Sequence, residues 1–110
     1  MTPVEGSLYR EPDGTIAVIV GGAPIRFASM AELIETRYGN AQWTSVPKGW
    51  FDALPDQPRD GSYLRDVANG MIHQMAGGKK RALTWDEWSA LGWPTFTNVP
   101  VDFLNTIPTA

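Results

Sequence analysis

The chain has 110 residues, 43 % of them hydrophobic and 19 % charged, enough to bury a core without staples. It has no cysteine, which excludes disulfides and thiolate metal sites. A net charge of −3 argues against nucleic acid, which needs clustered Lys and Arg, and no segment nears the roughly eighteen apolar residues of a membrane span.

The N-terminal stretch MTPVEGSLYREPDG has no basic segment followed by an apolar run. It carries no export signal of its own, and the expected location is a virion or the extracellular space reached by lysis. The chain then repeats itself. Gly6-Ser7-Leu8-Tyr9-Arg10 returns as Gly61-Ser62-Tyr63-Leu64-Arg65, and Gly21-Gly22 returns as Gly77-Gly78, at an offset of 55 or 56. Such internal similarity marks a duplicated structural unit. The expected organisation is one domain over 1–110, with repeats over 5–55 and 60–108 and a short linker over 56–59.

In chain order, Leu8–Glu11, Thr15–Val20 and Ala23–Phe27 are apolar runs parted by Pro12-Asp13-Gly14 and Gly21-Gly22, which predicts a three-stranded antiparallel meander. The same pattern falls on Tyr63–Asp66, Met71–Ala76 and Lys79–Leu83. Ile16 to Val20 has no polar face, so both sides of that strand must be covered. In the second copy His73 and Gln74 make the central strand more polar and more exposed.

Ser29 with Glu32, and Thr84 with Glu87, have capping-box spacing and predict two helix starts, with Gly39 and Gly92 placed to end them. Met30, Leu33, Ile34 and Tyr38 share one helical stripe, as do Trp85, Trp88 and Leu91. The stripes assign Trp50, Trp85 and Trp88 to the core. Pro47–Leu54 and Pro100–Ile107 predict a short helix with proline at its first position. The fold class expected is therefore α+β: two tandem repeats, each a three-stranded meander with a helix and a short helix, sharing one core.

Chemistry is sparse. His73 is the only histidine and has no partner at suggestive spacing, so it reads as a strand residue. Gly77-Gly78-Lys79-Lys80-Arg81 lacks the spacing of a phosphate loop, and a strand follows it where a helix is needed. Lys79, Lys80 and Arg81 are instead a surface cluster able to meet an acidic partner. Arg10 and Arg65, at matched places, read as ties to a carboxylate or carbonyl. Five tryptophans are the main supply of binding groups, and Trp43 and Trp93, outside the clearest stripes, are the expected exposed contacts. The candidate binding residues are Trp43, Trp93, His73, Lys79, Lys80 and Arg81, with no catalytic residue, metal or cofactor expected.

The paired segments GSLYREPDGTIAVIVGGAPIRF and DGSYLRDVANGMIHQMAGGKKRAL, each followed by a capped helix and a VP…LP or VP…IP segment, resemble a tandem repeat of secreted actinobacterial proteins and proteins of their phages. That resemblance covers nearly the whole chain and implies an accessory module without catalytic residues. Two roles follow as expectations: a virion accessory protein, such as a capsid decoration or tail component held by protein partners, or a module that binds cell-wall glycan.

Overall fold

A computed structural model describes residues 3–36, 38–39 and 41–109. The first repeat forms β1 (Leu8–Arg10), β2 (Ile16–Val20), β3 (Ala23–Arg26), α1 (Met30–Glu35) and β4 (Trp43–Ser45), then a 3-10 turn at Phe51–Ala53. The second forms β5 (Tyr63–Asp66), β6 (Ile72–Ala76), β7 (Lys79–Leu83), α2 (Trp85–Ala90), β8 (Thr97–Val99) and α3 (Val101–Asn105). The sheet orders are β3-β2-β1-β4 and β7-β6-β5-β8. In each sheet the first three strands are antiparallel, and the fourth pairs parallel to the first.

This corrects the α+β expectation. Among the described residues the chain is mostly β, built as two four-stranded mixed sheets with three short helices. A strand replaces what read as connection, because β4 and β8 add to the open edge of each meander and satisfy its backbone groups. Nor do the described residues share one core. The buried apolar residues form two clusters, one confined to the first repeat and one that joins both.

Cluster membership gives the packing of the repeats. In each sheet, one face carries the capped helix and the other carries the C-terminal segment; these are called the helix face and the tail face. The tail face of the first sheet (Tyr9, Ala17, Ile19) closes on Val46 and Phe51 of its own repeat. Its helix face (Leu8, Ile16, Val18, Val20, Ile25), with Leu33 of α1, forms a single cluster with Leu64, Met75 and Val99 of the second sheet and Leu104 and Ile107 of α3. Those last five residues belong to the second repeat's tail face and segment. The repeats are therefore stacked in the same sense, helix face of the first upon tail face of the second. All five residues of β2 are buried, as a strand without a polar face requires.

Tight turns hold this stack. Gly21 sits at φ 57°, and its N–H donates to the Glu5 carboxylate at 2.7 Å while its carbonyl accepts from Arg59 N–H at 3.1 Å. A Cβ on Gly21 would lie 2.7 Å from the Arg59 backbone nitrogen, so the linker packs directly on this turn. The second repeat reproduces the acid-to-turn bond, Asp60 accepting from Gly77 N–H at 2.9 Å.

The helices differ from expectation in three ways. At α2 the capping box is complete, whereas Glu32 of α1 returns its bond to Ala28 rather than Ser29. Helix α1 stops at Thr36, whose hydroxyl donates to the carbonyls of Glu32 (2.9 Å) and Leu33 (3.0 Å), and not at Gly39; Gly92, at φ 84°, does follow α2. Both prolines precede their helices, Pro100 as the N-cap of α3 and Pro47 ahead of a 3-10 turn only.

Candidate functional site: an aromatic groove on the second repeat

The two stripes expected in the core are largely outside it. Helices of six residues cannot bury a whole stripe. Only Leu33 of the first stripe's helix is buried, while Met30 and Ile34 are exposed. On α2, which buries nothing fully, Trp85 is 68 % exposed. This corrects the assignment of Trp85 and Trp88 to the core. Trp50 is half-buried against Tyr9, with ring centroids 4.7 Å apart.

What forms instead is an aromatic cluster at the surface. Trp88 lies 5.5 Å from Trp85, 4.9 Å from Trp93 and 5.7 Å from Phe96, and Trp85 lies 4.8 Å from Trp93. All but the tilted Trp85–Trp88 pair meet edge-on, a geometry that uses the attraction of ring edge for ring face. The Trp88 indole N–H donates to the Pro94 carbonyl at 3.2 Å, which fixes that ring. Trp93 is held at φ 57°, a left-handed conformation unusual for a bulky side chain, directly after Gly92.

Beside the cluster lies a groove of about 550 Å³ between the β5–β6 turn and the start of α2. Its apolar floor comes from Ile72, Leu83, Trp85, Trp88 and Phe96. Asn69 and Arg65 also line it, with the Arg65 guanidinium 5.5 Å over the Phe96 ring. The first repeat has the matching groove, lined by Asp13, Gly14, Ile16, Phe27, Met30 and Leu33, but of about 270 Å³. Where the first copy has Met30, Leu33 and Tyr38, the second has Trp85, Trp88 and Trp93 at an offset of 55.

Trp93 thus joins residues that the stripe argument had put elsewhere. Trp43 does not: it lies on β4 of the other repeat, 43 % exposed, with the Arg10 guanidinium 5.9 Å over its ring. Arg10 and Arg65 share this stacked arrangement over an aromatic of the fourth-strand segment, rather than the carboxylate or carbonyl ties expected of them.

The basic run is divided by strand alternation. The Lys80 ammonium donates to the Leu104 carbonyl on the tail face. Arg81 pairs with Glu87 at 2.8 Å and donates to Gln74 at 3.3 Å on the helix face. Lys79 is exposed at the start of β7. They are not one patch. His73 is half-buried on the tail face, opposite Leu64. Burial, and then Lys80, holds its imidazole below the ordinary value, while Asp66 pulls the other way.

Among the described residues no group of three or more His, Cys, Asp or Glu is placed to hold a metal. No described helix is long and apolar enough to cross a membrane. The groove offers apolar and aromatic area, a cation and an amide: a surface for binding.

The chain matches no family model and no curated protein sequence. Among solved structures it is similar to a chain of the periplasmic assembly of the ESX-5 inner membrane complex, with 15 % identity and a TM-score of 0.35. The similarity spans 100 % of this chain and 35 % of that one.

Proposed function

We propose that the chain is a non-enzymatic binding module that joins a larger protein assembly through the aromatic helix face of its second repeat. The observation that carries this reading is positional. In the first repeat the sheet residues of the helix face and Leu33 are buried in a cluster shared with the second repeat, although Met30 stays 57 % exposed; on the corresponding face of the second repeat Trp85 and Trp93, at 68 % and 51 % exposure, belong to no buried cluster of the described residues. Contiguous exposed aromatics of this kind mark interaction surfaces, and Trp is the residue type that most often dominates them.

The finer assignment is a virion accessory subunit, a capsid decoration or tail component of an actinobacteriophage. It draws on the resemblance of the duplicated unit to actinobacterial and phage proteins.

A cell-wall glycan module is the second reading, favoured by one observation. A sugar ring stacks on an exposed indole while its hydroxyls need polar partners, and Asn69 and Arg65 line the same groove as Trp85 and Phe96.

The test is capture of the whole chain by phage particles and by purified cell wall, with Trp85→Ala and Trp43→Ala compared. Binding to particles that Trp85→Ala abolishes and Trp43→Ala spares supports the protein reading. Wall binding without particle binding would overturn it in favour of glycan.

A further inference from the structure

Resting on the protein-binding reading, we infer that the occupant of the aromatic face is the first repeat of a second copy of this chain, so that copies join head to tail. The contact already made inside the chain supplies the template. There the Tyr38 hydroxyl, just past α1, donates to the Asn98 carbonyl of the edge strand β8 at 2.8 Å, and Leu33 of α1 shares one buried cluster with Leu104 of α3. Both halves of this contact recur, and both are exposed among the described residues.

On the donor side, Trp93 stands in the place of Tyr38. Its backbone makes the same bond, Trp93 N–H to the Trp88 carbonyl at 3.4 Å, as Tyr38 N–H makes to the Leu33 carbonyl at 3.0 Å. Each side chain ends in a hydrogen-bond donor, a phenol in one and an indole N–H in the other. On the acceptor side, β4 is the counterpart of β8. All three β4 residues are exposed, whereas β8 is half-buried to buried under the first repeat. An exposed edge strand is an unsatisfied template for further contact.

The second repeat's face is also less apolar than the first's. Gln74, Ala76 and Arg81 stand where the first repeat has Val18, Val20 and Ile25. An intermolecular contact must form from two dissolved surfaces, and a part-polar face keeps it reversible while the tryptophans supply the anchor. Because the two surfaces differ, the association is heterologous and continues past a dimer into a ring or an open series.

Sedimentation velocity over a concentration series tests this, using the full chain, Trp93→Asn and Ala53→Arg. Asn tolerates the positive φ at position 93. Ala53 is exposed beside Phe51 and corresponds to Thr106, which lines a cavity between α3 and residues 24–32 of the first repeat. The full chain is expected to grow past a dimer. Each variant alone should associate at least about tenfold more weakly. An equimolar mixture of the two should stop at a dimer, because one intact donor face remains to meet one intact acceptor face. Association that both variants retain, or a closed dimer that never grows, would overturn the inference. So would a chain that stays monomeric at every concentration; if Trp85→Ala nonetheless abolishes capture by particles, the protein-binding reading survives and only self-association is lost.

Discussion

The Tyr38 hydroxyl donates to the Asn98 carbonyl across the junction of the two repeats at 2.8 Å, and Asn98 Nδ2 returns a longer bond to the Thr36 carbonyl at 3.4 Å. The phenol is partly buried and packs edge-on against Phe27 at 5.6 Å. Tyr38→Phe keeps the ring and removes the donor, leaving a strand carbonyl without this partner. The expected cost is about 1 kcal/mol of unfolding free energy, read from denaturant midpoints at unchanged m-value.

The same phenol sets an alkaline limit. Burial pushes its pKa up from 10 to about 12, with the bond to Asn98 opposing the shift. A group whose folded pKa is raised contributes stability fully present below the unfolded value and lost as pH rises through the folded one. Stability should therefore decline between pH 10 and about 12, and Tyr38→Phe should decline less over that window. Equal decline in both proteins would place the alkaline transition elsewhere.

His73 acts at the other end of the scale. Its folded pKa lies below the ordinary 6.5, chiefly from burial, so the unfolded chain binds the proton more readily. The sign is opposite to that of Tyr38: stability is present above 6.5 and falls as the medium becomes more acid. Replacing His73 with Gln, which cannot titrate, should flatten the slope of denaturant midpoint against pH below 6.5. A slope that His73→Gln leaves unchanged would assign the acid dependence to the carboxylates instead.

Gly21 and Gly77 are a matched pair in different surroundings, and they show how far duplication makes the copies equivalent. Both have positive φ, 57° and 60°, so an alanine at either costs on the order of 1 kcal/mol in the left-handed region. At Gly77 nothing lies within 4 Å of the added Cβ, whereas at Gly21 it meets the Arg59 nitrogen at 2.7 Å and the Pro58 Cα at 3.0 Å. Gly21→Ala should be worse than Gly77→Ala by at least about 1 kcal/mol, because backbone must move as well. Near-equal midpoints for the two variants would mean that the linker does not rest on the Gly21 turn.

The sequence shows the duplication, the meanders and the turn glycines because each is a local demand: period-two apolar runs and positive-φ turns. It conceals β4 and β8, since Trp43-Thr44-Ser45 and Thr97-Asn98-Val99 are three residues long and their pairing partners lie far back in the chain. Their role follows from which edge is open, a tertiary fact. The site was hidden for a related reason. The spacing of Trp85 and Trp88 marks one side of a helix, but whether that side is buried depends on what the other repeat covers. A signal was present in the comparison of copies: Met30, Leu33 and Tyr38 become three tryptophans, while Val18 and Ile25 become Gln74 and Arg81. Together these substitutions turn an internal face into an external one.

The cap of α2 ties stability to the site. Thr84 accepts from Glu87 N–H at 3.1 Å, Glu87 accepts from Thr84 N–H at 3.0 Å, and the same carboxylate holds Arg81 at 2.8 Å. Bonding to the Thr84 backbone, followed by the Arg81 bond, keeps the Glu87 carboxyl below the usual range. Thr84→Ala removes the acceptor at the helix start and should cost about 1 kcal/mol. A six-residue helix has few internal bonds, so fraying begins at the turn that carries Trp85 and Trp88. Thr84→Ala should accordingly weaken partner capture while leaving the first repeat's Trp50 environment intact. Thr84→Ser, which keeps the hydroxyl, should restore capture. If Ala and Ser variants bind alike, the tryptophans are held by their mutual ring contacts and not by the cap.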